Sequence, residues 1–94
     1  MELEKVIVRT QSAGVFFGEL FNKDGKEVTL LNARRLWYWA GAASLSQLAM
    51  EGTKKPQECK FPCLVYKVRL MEAIEILSVT PMAIKSIEEV PVWQ

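Results

Sequence analysis

Val15-Phe16-Phe17-Gly18-Glu19-Leu20-Phe21-Asn22-Lys23-Asp24-Gly25-Lys26-Glu27-Val28-Thr29-Leu30-Leu31 is the stretch on which the fold turns. Two runs rich in β-branched and aromatic residues flank Asp24-Gly25, a pair that tolerates positive φ and marks a tight hairpin. The reading is two antiparallel strands. Gly18, inside the first of them, predicts a bulge or a close approach of two backbones.

Working outward, Lys5-Val6-Ile7-Val8-Arg9-Thr10 reads as a strand before the hairpin, joined to it by a turn over Gln11-Ser12-Ala13-Gly14. On the other side, Asn32-Ala33 breaks or bends the chain. Arg34 to Trp39 is then a fourth strand or the continuation of the third. Strand alternation would set Arg34, Leu36 and Tyr38 on one face and Arg35, Trp37 and Trp39 on the other, the leucine marking the first set as the core side. Ser44-Leu45-Ser46-Gln47 fits a capping box opening a short helix that Gly52 ends. Thr53 to Phe61 reads as an exposed loop. Leu64 to Val79 is strand-like, interrupted near Glu72-Ala73. Thr80-Pro81 opens a second helix with Ile84, Ile87 and Val90 on its buried side, and Pro91 stops it. The expected architecture is α+β: a small antiparallel, partly barrel-like β-sheet with two short helices, in a single domain over residues 1–94.

Composition narrows the function classes. Half of the 94 residues are hydrophobic and 24% are charged, a globular balance. Twelve basic and eleven acidic residues leave a formal net charge of +1. So weak a field argues against nucleic acid as a partner. No apolar run approaches the length of a membrane helix, and the acidic start, Glu2-Leu3-Glu4, is unlike a secretory signal. The expected location is the cytoplasm, with no membrane partner. The chain contains no histidine. That removes the commonest general base near neutral pH, the commonest zinc ligand and any Ser-His or Cys-His arrangement. Cys59 and Cys63 have no second pair of ligands to complete a zinc site within one chain, and a reducing compartment keeps them as thiols. Glu72 and Glu75, three apart on an extended strand, face opposite sides and make a poor acid pair. There is no phosphate loop or dinucleotide fingerprint. The expectation is a protein that is not an enzyme and carries no cofactor or metal.

Asn32 to Trp39 holds two arginines, two tryptophans, a tyrosine and an asparagine within eight residues. Guanidinium groups pair with phosphate or carboxylate, and indole and phenol faces stack on planar rings. The run leads through Gly41-Ala42-Ala43 to Ser44 at a helix N-terminus, which presents free N–H groups to an anion. The candidate ligand-binding residues are Asn32, Arg34, Arg35, Trp37, Tyr38, Trp39 and Ser44. The bland alternative is that the aromatics are core and the arginines ordinary surface charges.

The segments Val6 to Thr10, Ser12 to Phe16, Asn32 to Trp39, Gly41 to Ala49 and Lys85 to Trp93 together resemble a family of short proteins common in tailed-bacteriophage genomes. The resemblance covers nearly the whole chain. It implies an accessory protein made in the cytoplasm of the infected bacterium, and it implies no reaction and no functional residues.

Three binding functions follow, in order. The first is sequestration of a small nucleotide-type signal molecule to counter host defence, by a homo-oligomer with pockets between subunits. The second is a protein-interaction module that inhibits or redirects a host protein, its aromatics serving as anchors. The third is single-stranded nucleic-acid binding.

Overall fold

The computed structural model describes residues 2–94. The chain runs through β1 (Lys5–Thr10), β2 (Val15–Asp24), β3 (Glu27–Arg35), α1 (Leu45–Glu51), β4 (Val65–Leu70), β5 (Ala73–Ser78) and α2 (Pro81–Glu88), with a single 3-10 turn at Pro56–Glu58. All five strands form one antiparallel sheet in the order β4-β3-β2-β1-β5. The fold is the α+β arrangement expected, with two short helices.

The decisive hairpin forms with Asp24 opposite Glu27, so its turn residues are Gly25 and Lys26, one place beyond the Asp24-Gly25 pair. Gly18 meets its expectation. The β2–β3 register shifts between Phe17 and Glu19, where β3 carries one extra residue at Asn32-Ala33. A Cβ on Gly18 would stand 3.0 Å from the Ala33 Cα, so the two backbones close only over a glycine. Asn32 takes the positive φ, 50°, that accompanies this bulge. A second shift lies between Leu20 and Asn22. Bulges bend strands and increase their twist, and the sheet is curled accordingly.

The curl creates two cores. Inside it lie Val6, Val8, Phe16, Val28, Leu30, Ala33 and Leu70, with Leu20, Val68, Ala73 and Ile76 against them, so every strand contributes. On the other face Ile7, Phe17 and Leu36 meet Leu48 and Ala49, Phe61, Ile87 and Val90, with Leu77 and Ile84 alongside. The partly barrel-like expectation needs one refinement. The two sheet edges, β4 and β5, are joined through Met71-Glu72 and so converge at one end, but each pairs with one inner strand only, and the sheet does not close into a barrel.

Both predicted helix starts are present. Ser44 Oγ accepts from the Gln47 amide at 3.1 Å while Gln47 Oε1 accepts from the Ala43 amide at 2.7 Å, a reciprocal box. Thr80 Oγ1 accepts from the Ala83 amide ahead of Pro81. Gly52 caps the end of α1. Among the described residues no helix is long and apolar enough to cross a membrane.

Two expectations hold only in part. Of the two alternatives for 34–39, continuation of β3 holds only as far as Arg35 and no fourth strand forms: Tyr38 makes only an isolated bridge to Lys60. The segment from Leu36 to Ser44 instead leaves the sheet as a strap toward α1. The stretch from Thr53 to Phe61 is not an exposed loop throughout. Phe61 is wholly buried and Cys59 is buried, because this segment passes beneath the strap and fills the helix-covered core. Both cysteines are free thiols, Cys63 at the surface.

Candidate functional site

The Asn32 to Trp39 run does not converge on one ligand, and its residues divide three ways. The bulge sends Arg34 and Leu36 inward, 5% and 2% exposed. Arg34 is the larger surprise. Its Nε donates to the carbonyl of Pro62 at 3.1 Å and its Nη1 to that of Ile87 at 3.0 Å. Its Nη2 donates to the carbonyls of Phe61, Val90 and Pro91 at 3.1, 2.7 and 3.1 Å. The guanidinium also lies 5.4 Å from the Phe61 ring centroid. Arg34 forms no ion pair among the described residues, so a buried cation is solvated by main-chain oxygens alone. Ile87 and Val90 sit at the C-terminal end of α2, where the helix dipole favours a positive charge. Burial still pushes the Arg34 pKa below its ordinary value, with Cys59 acting the other way.

Arg34 therefore belongs to the scaffold and is neither an ordinary surface charge nor a free ligand contact. What it organises is the exterior. The segments it ties together, Phe61-Pro62 and Val90-Pro91, carry Lys60 and Trp93. Lys60 exchanges two backbone hydrogen bonds with Tyr38, and the Trp93 amide donates to the Phe61 carbonyl at 3.0 Å. The Lys60 ammonium consequently stands 5.8 Å from the Tyr38 ring centroid and 5.6 Å from that of Trp93. Such a cation held against two aromatic faces orders all three side chains. Trp37 is 63% exposed, Tyr38 51% and Trp93 43%. Arg35, also exposed, lies over the Phe16 ring at 4.6 Å. Trp39 is half-buried against the helix-covered core.

Asn32 faces elsewhere. With Arg34 it lines a cleft of about 400 Å³ between the sheet and the end of α2, together with Lys5, Glu19, Leu64, Glu88 and Val92. Asn32 Nδ2 donates to Glu19 Oε1 at 3.4 Å, and Lys5 bonds Glu88. The two cations are matched by two carboxylates, so the cleft offers no net positive field to a phosphate. The hydrogen bond to Glu88 holds the Lys5 pKa above its ordinary 10.5; partial burial opposes it, and Coulombic attraction to Glu88, Glu19 and Glu2 adds to it. A folded-state pKa that is raised stabilises fully below 10.5 and ceases to as the pH climbs through the raised value. The melting-temperature difference between the protein and its Lys5→Gln variant is thus expected to shrink above pH 10.5, and a difference independent of pH would count against the pair.

Ser44 is engaged as a cap, and the Ala43 amide is already satisfied by Gln47, so α1 does not present an open N-terminus to an anion. The residues that sequence reasoning passed over are Lys60 and Trp93. Trp93 lies beyond the proline that stops α2, and its amide docks by hydrogen bonding while its indole stays partly in solvent.

The model of a domain of unknown function, DUF6948, matches residues 3–87. The chain belongs to this family. The match spans the sheet, α1, α2 up to Ile87 and all of Asn32 to Trp39, and stops short of Trp93. No curated protein and no solved structure matches the chain.

Proposed function

We infer that this DUF6948 protein is a protein-interaction module, working by binding and not by catalysis. The observation that carries the reading is the pair Tyr38 and Trp93 held around Lys60, with Trp37, exposed as well, next to Tyr38 in the chain. Large aromatics rarely stay exposed side by side without a use, and Trp and Tyr are the residues most enriched at interface hot spots. They are held by a buried clamp, so little ordering is required on binding. The near-neutral net charge suits a protein partner better than a nucleic acid. The setting that goes with this reading is the one implied by the resemblance in sequence: a phage accessory protein acting on a host protein in the bacterial cytoplasm.

The test is affinity capture from bacterial lysate with the protein and with a Trp37→Ala/Tyr38→Ala variant. The expected result is a partner retained in stoichiometric amount by the former and at least about thirtyfold less by the latter, the loss of one hot spot. Both side chains are exposed, so the variant should melt with the parent. Equal retention by the two would refute the role of this surface.

A second reading is favoured by the cleft, whose volume of about 400 Å³ suits a small molecule. Asn32 would then contact a nucleotide-type ligand, in a site completed by a second copy of the chain. It ranks below the first because Arg34 is occupied, Arg35 points away from the cleft and the charges within it cancel. Calorimetric titration with cyclic and ADP-ribose-type nucleotides decides it, and absence of heat with all of them ends it.

A further inference from the structure

Two sheet edges are open in this fold, and they differ. At β5 the pairing with β1 shifts register between Arg9 and Thr10, and the strand carries Glu75 paired to Arg9. At β4 the register with β3 is unbroken from Val28↔Leu70 to Ala33↔Val65. There is no proline from Leu64 to Leu70 and no bulge. Proline and bulges are two of the devices with which proteins protect an edge, and β4 has neither; its protection is its charge. Val68 and Leu70 turn into the inner core. Tyr66, two residues earlier on the same face, runs past the end of that core and is 78% exposed; Leu64 and Val65 are 61% and 45% exposed. Every second residue of this edge presents an unpaired N–H and C=O outward.

The charge on this edge selects its occupant. From Cys59 to Met71 the chain carries Lys60, Lys67 and Arg69 and no carboxylate. Arg69 lies 3.3 Å from Glu27, whereas Lys67 makes no ion pair among the described residues and stands over the Phe21 ring at 5.6 Å. A second copy is disfavoured. Of the antiparallel self-pairings of β4, those centred on Lys67 or Val68 engage five of its six residues, and they set Lys67 against itself or against Arg69. An acidic strand meets no such conflict. Leu64, at the start of this edge, lines the same cleft as Val92, the residue before Trp93.

We propose that the free edge of β4 takes up an extended, acidic segment of the partner protein as a sixth strand, with its carboxylates toward Lys67 and Arg69 and its apolar side chains over Leu64 and Tyr66. The proposal rests on the protein-binding reading above. Main-chain hydrogen bonds supply affinity and alternate side chains supply selectivity in this mode.

Short blocked peptides test it on the intact protein: one alternating glutamate and valine, one alternating lysine and valine, and the first with every second amide N-methylated. The expected result is binding of the glutamate peptide with amide shifts in the NMR spectrum concentrated on Leu64 to Leu70. Affinity should be about tenfold or more weaker for the other two peptides and for a Lys67→Glu/Arg69→Glu variant, whose side chains are exposed and leave the fold intact. No binding by the glutamate peptide, equal binding by the lysine peptide, or shifts centred on Trp37 to Trp39 would overturn the proposal. So would a dimer in sedimentation that Tyr66→Lys dissolves, because a second copy would then hold the edge. Lysate capture separates this proposal from the reading beneath it. A partner lost with Trp37→Ala/Tyr38→Ala but kept with Lys67→Glu/Arg69→Glu removes the β4 edge and leaves the module standing. A parent protein that captures nothing removes the module itself.

Discussion

Replacing Arg34 with alanine is expected to lower the melting temperature by about 20 °C or to prevent folding, the largest effect of any single substitution in Asn32 to Trp39. The side chain donates to five carbonyls from three segments. Hydrogen bonds to a charged group contribute roughly 1.5–3 kcal/mol each, and unsatisfied buried acceptors cost about 1–3 kcal/mol, but deletions that share one site do not add. A net loss of about 4 kcal/mol is a large part of the roughly 5–15 kcal/mol that holds a small domain together. At about 4–8 °C per kcal/mol for a chain of this size, the shift follows. Lysine should rescue little, because one ammonium has three donors at a single point and cannot span a fork of five acceptors. Arg35→Ala, removing an exposed neighbour, should cost less than about 1 kcal/mol. Thermal unfolding by circular dichroism checks all three, and an Arg34→Ala protein melting with the parent would show that the clamp holds nothing.

Gly41→Ala is expected to destabilise by about 3 kcal/mol through strain that the strap cannot relieve. Gly41 has φ of 80°, and a Cβ there would lie 2.5 Å from the Lys55 amide nitrogen, 2.7 Å from that of Lys54 and 2.7 Å from Thr53 Oγ1. All three belong to the knot that ties the strap to the following loop. The Lys54 amide donates to the Gly41 carbonyl, Thr53 Oγ1 donates to that of Ala40, and the Ala40 amide donates to Cys59 Sγ at 3.5 Å. Backbone, not a flexible side chain, would have to move. Gly14 is the control: its φ is 100°, yet nothing lies within 4 Å of its Cβ position. Gly14→Ala should therefore cost only the conformational penalty, about 1–2 kcal/mol. Denaturant unfolding of the two variants separates steric conflict from φ strain, and equal losses would refute the knot.

The parts of the fold that sequence revealed are those set by neighbours in the chain. The hairpin around Gly25, the bulge at Gly18, the capping box at Ser44 and the Thr80-Pro81 helix start each depend on a few consecutive residues. Strand alternation also placed Arg34 and Leu36 together on the inner side. It failed from Trp37 onward because the chain leaves the sheet after Arg35, and period-two reasoning holds only while a strand lasts. That Phe61 is core, and that Arg34 is satisfied by oxygens at positions 61, 62, 87, 90 and 91, depends on contacts with no local signature. A main-chain carbonyl looks the same in every residue. An arginine that will be buried against five of them is indistinguishable in sequence from Arg35, which is exposed. The pairing of Lys60 with Tyr38 and Trp93 was hidden for the same reason.

The reach of the Arg34 clamp has a consequence for synthesis. Its last acceptors, at Val90 and Pro91, lie 56 and 57 residues downstream. While those residues remain in the ribosomal exit tunnel, the guanidinium keeps its water and β3 cannot draw it inside. The hairpin emerges early, but the face bearing Ile7 and Phe17 stays open until Pro91 has left the tunnel. A product cut short before Ile87 retains a cation that must remain hydrated and an apolar face that α2 never covers, which marks it for proteolysis.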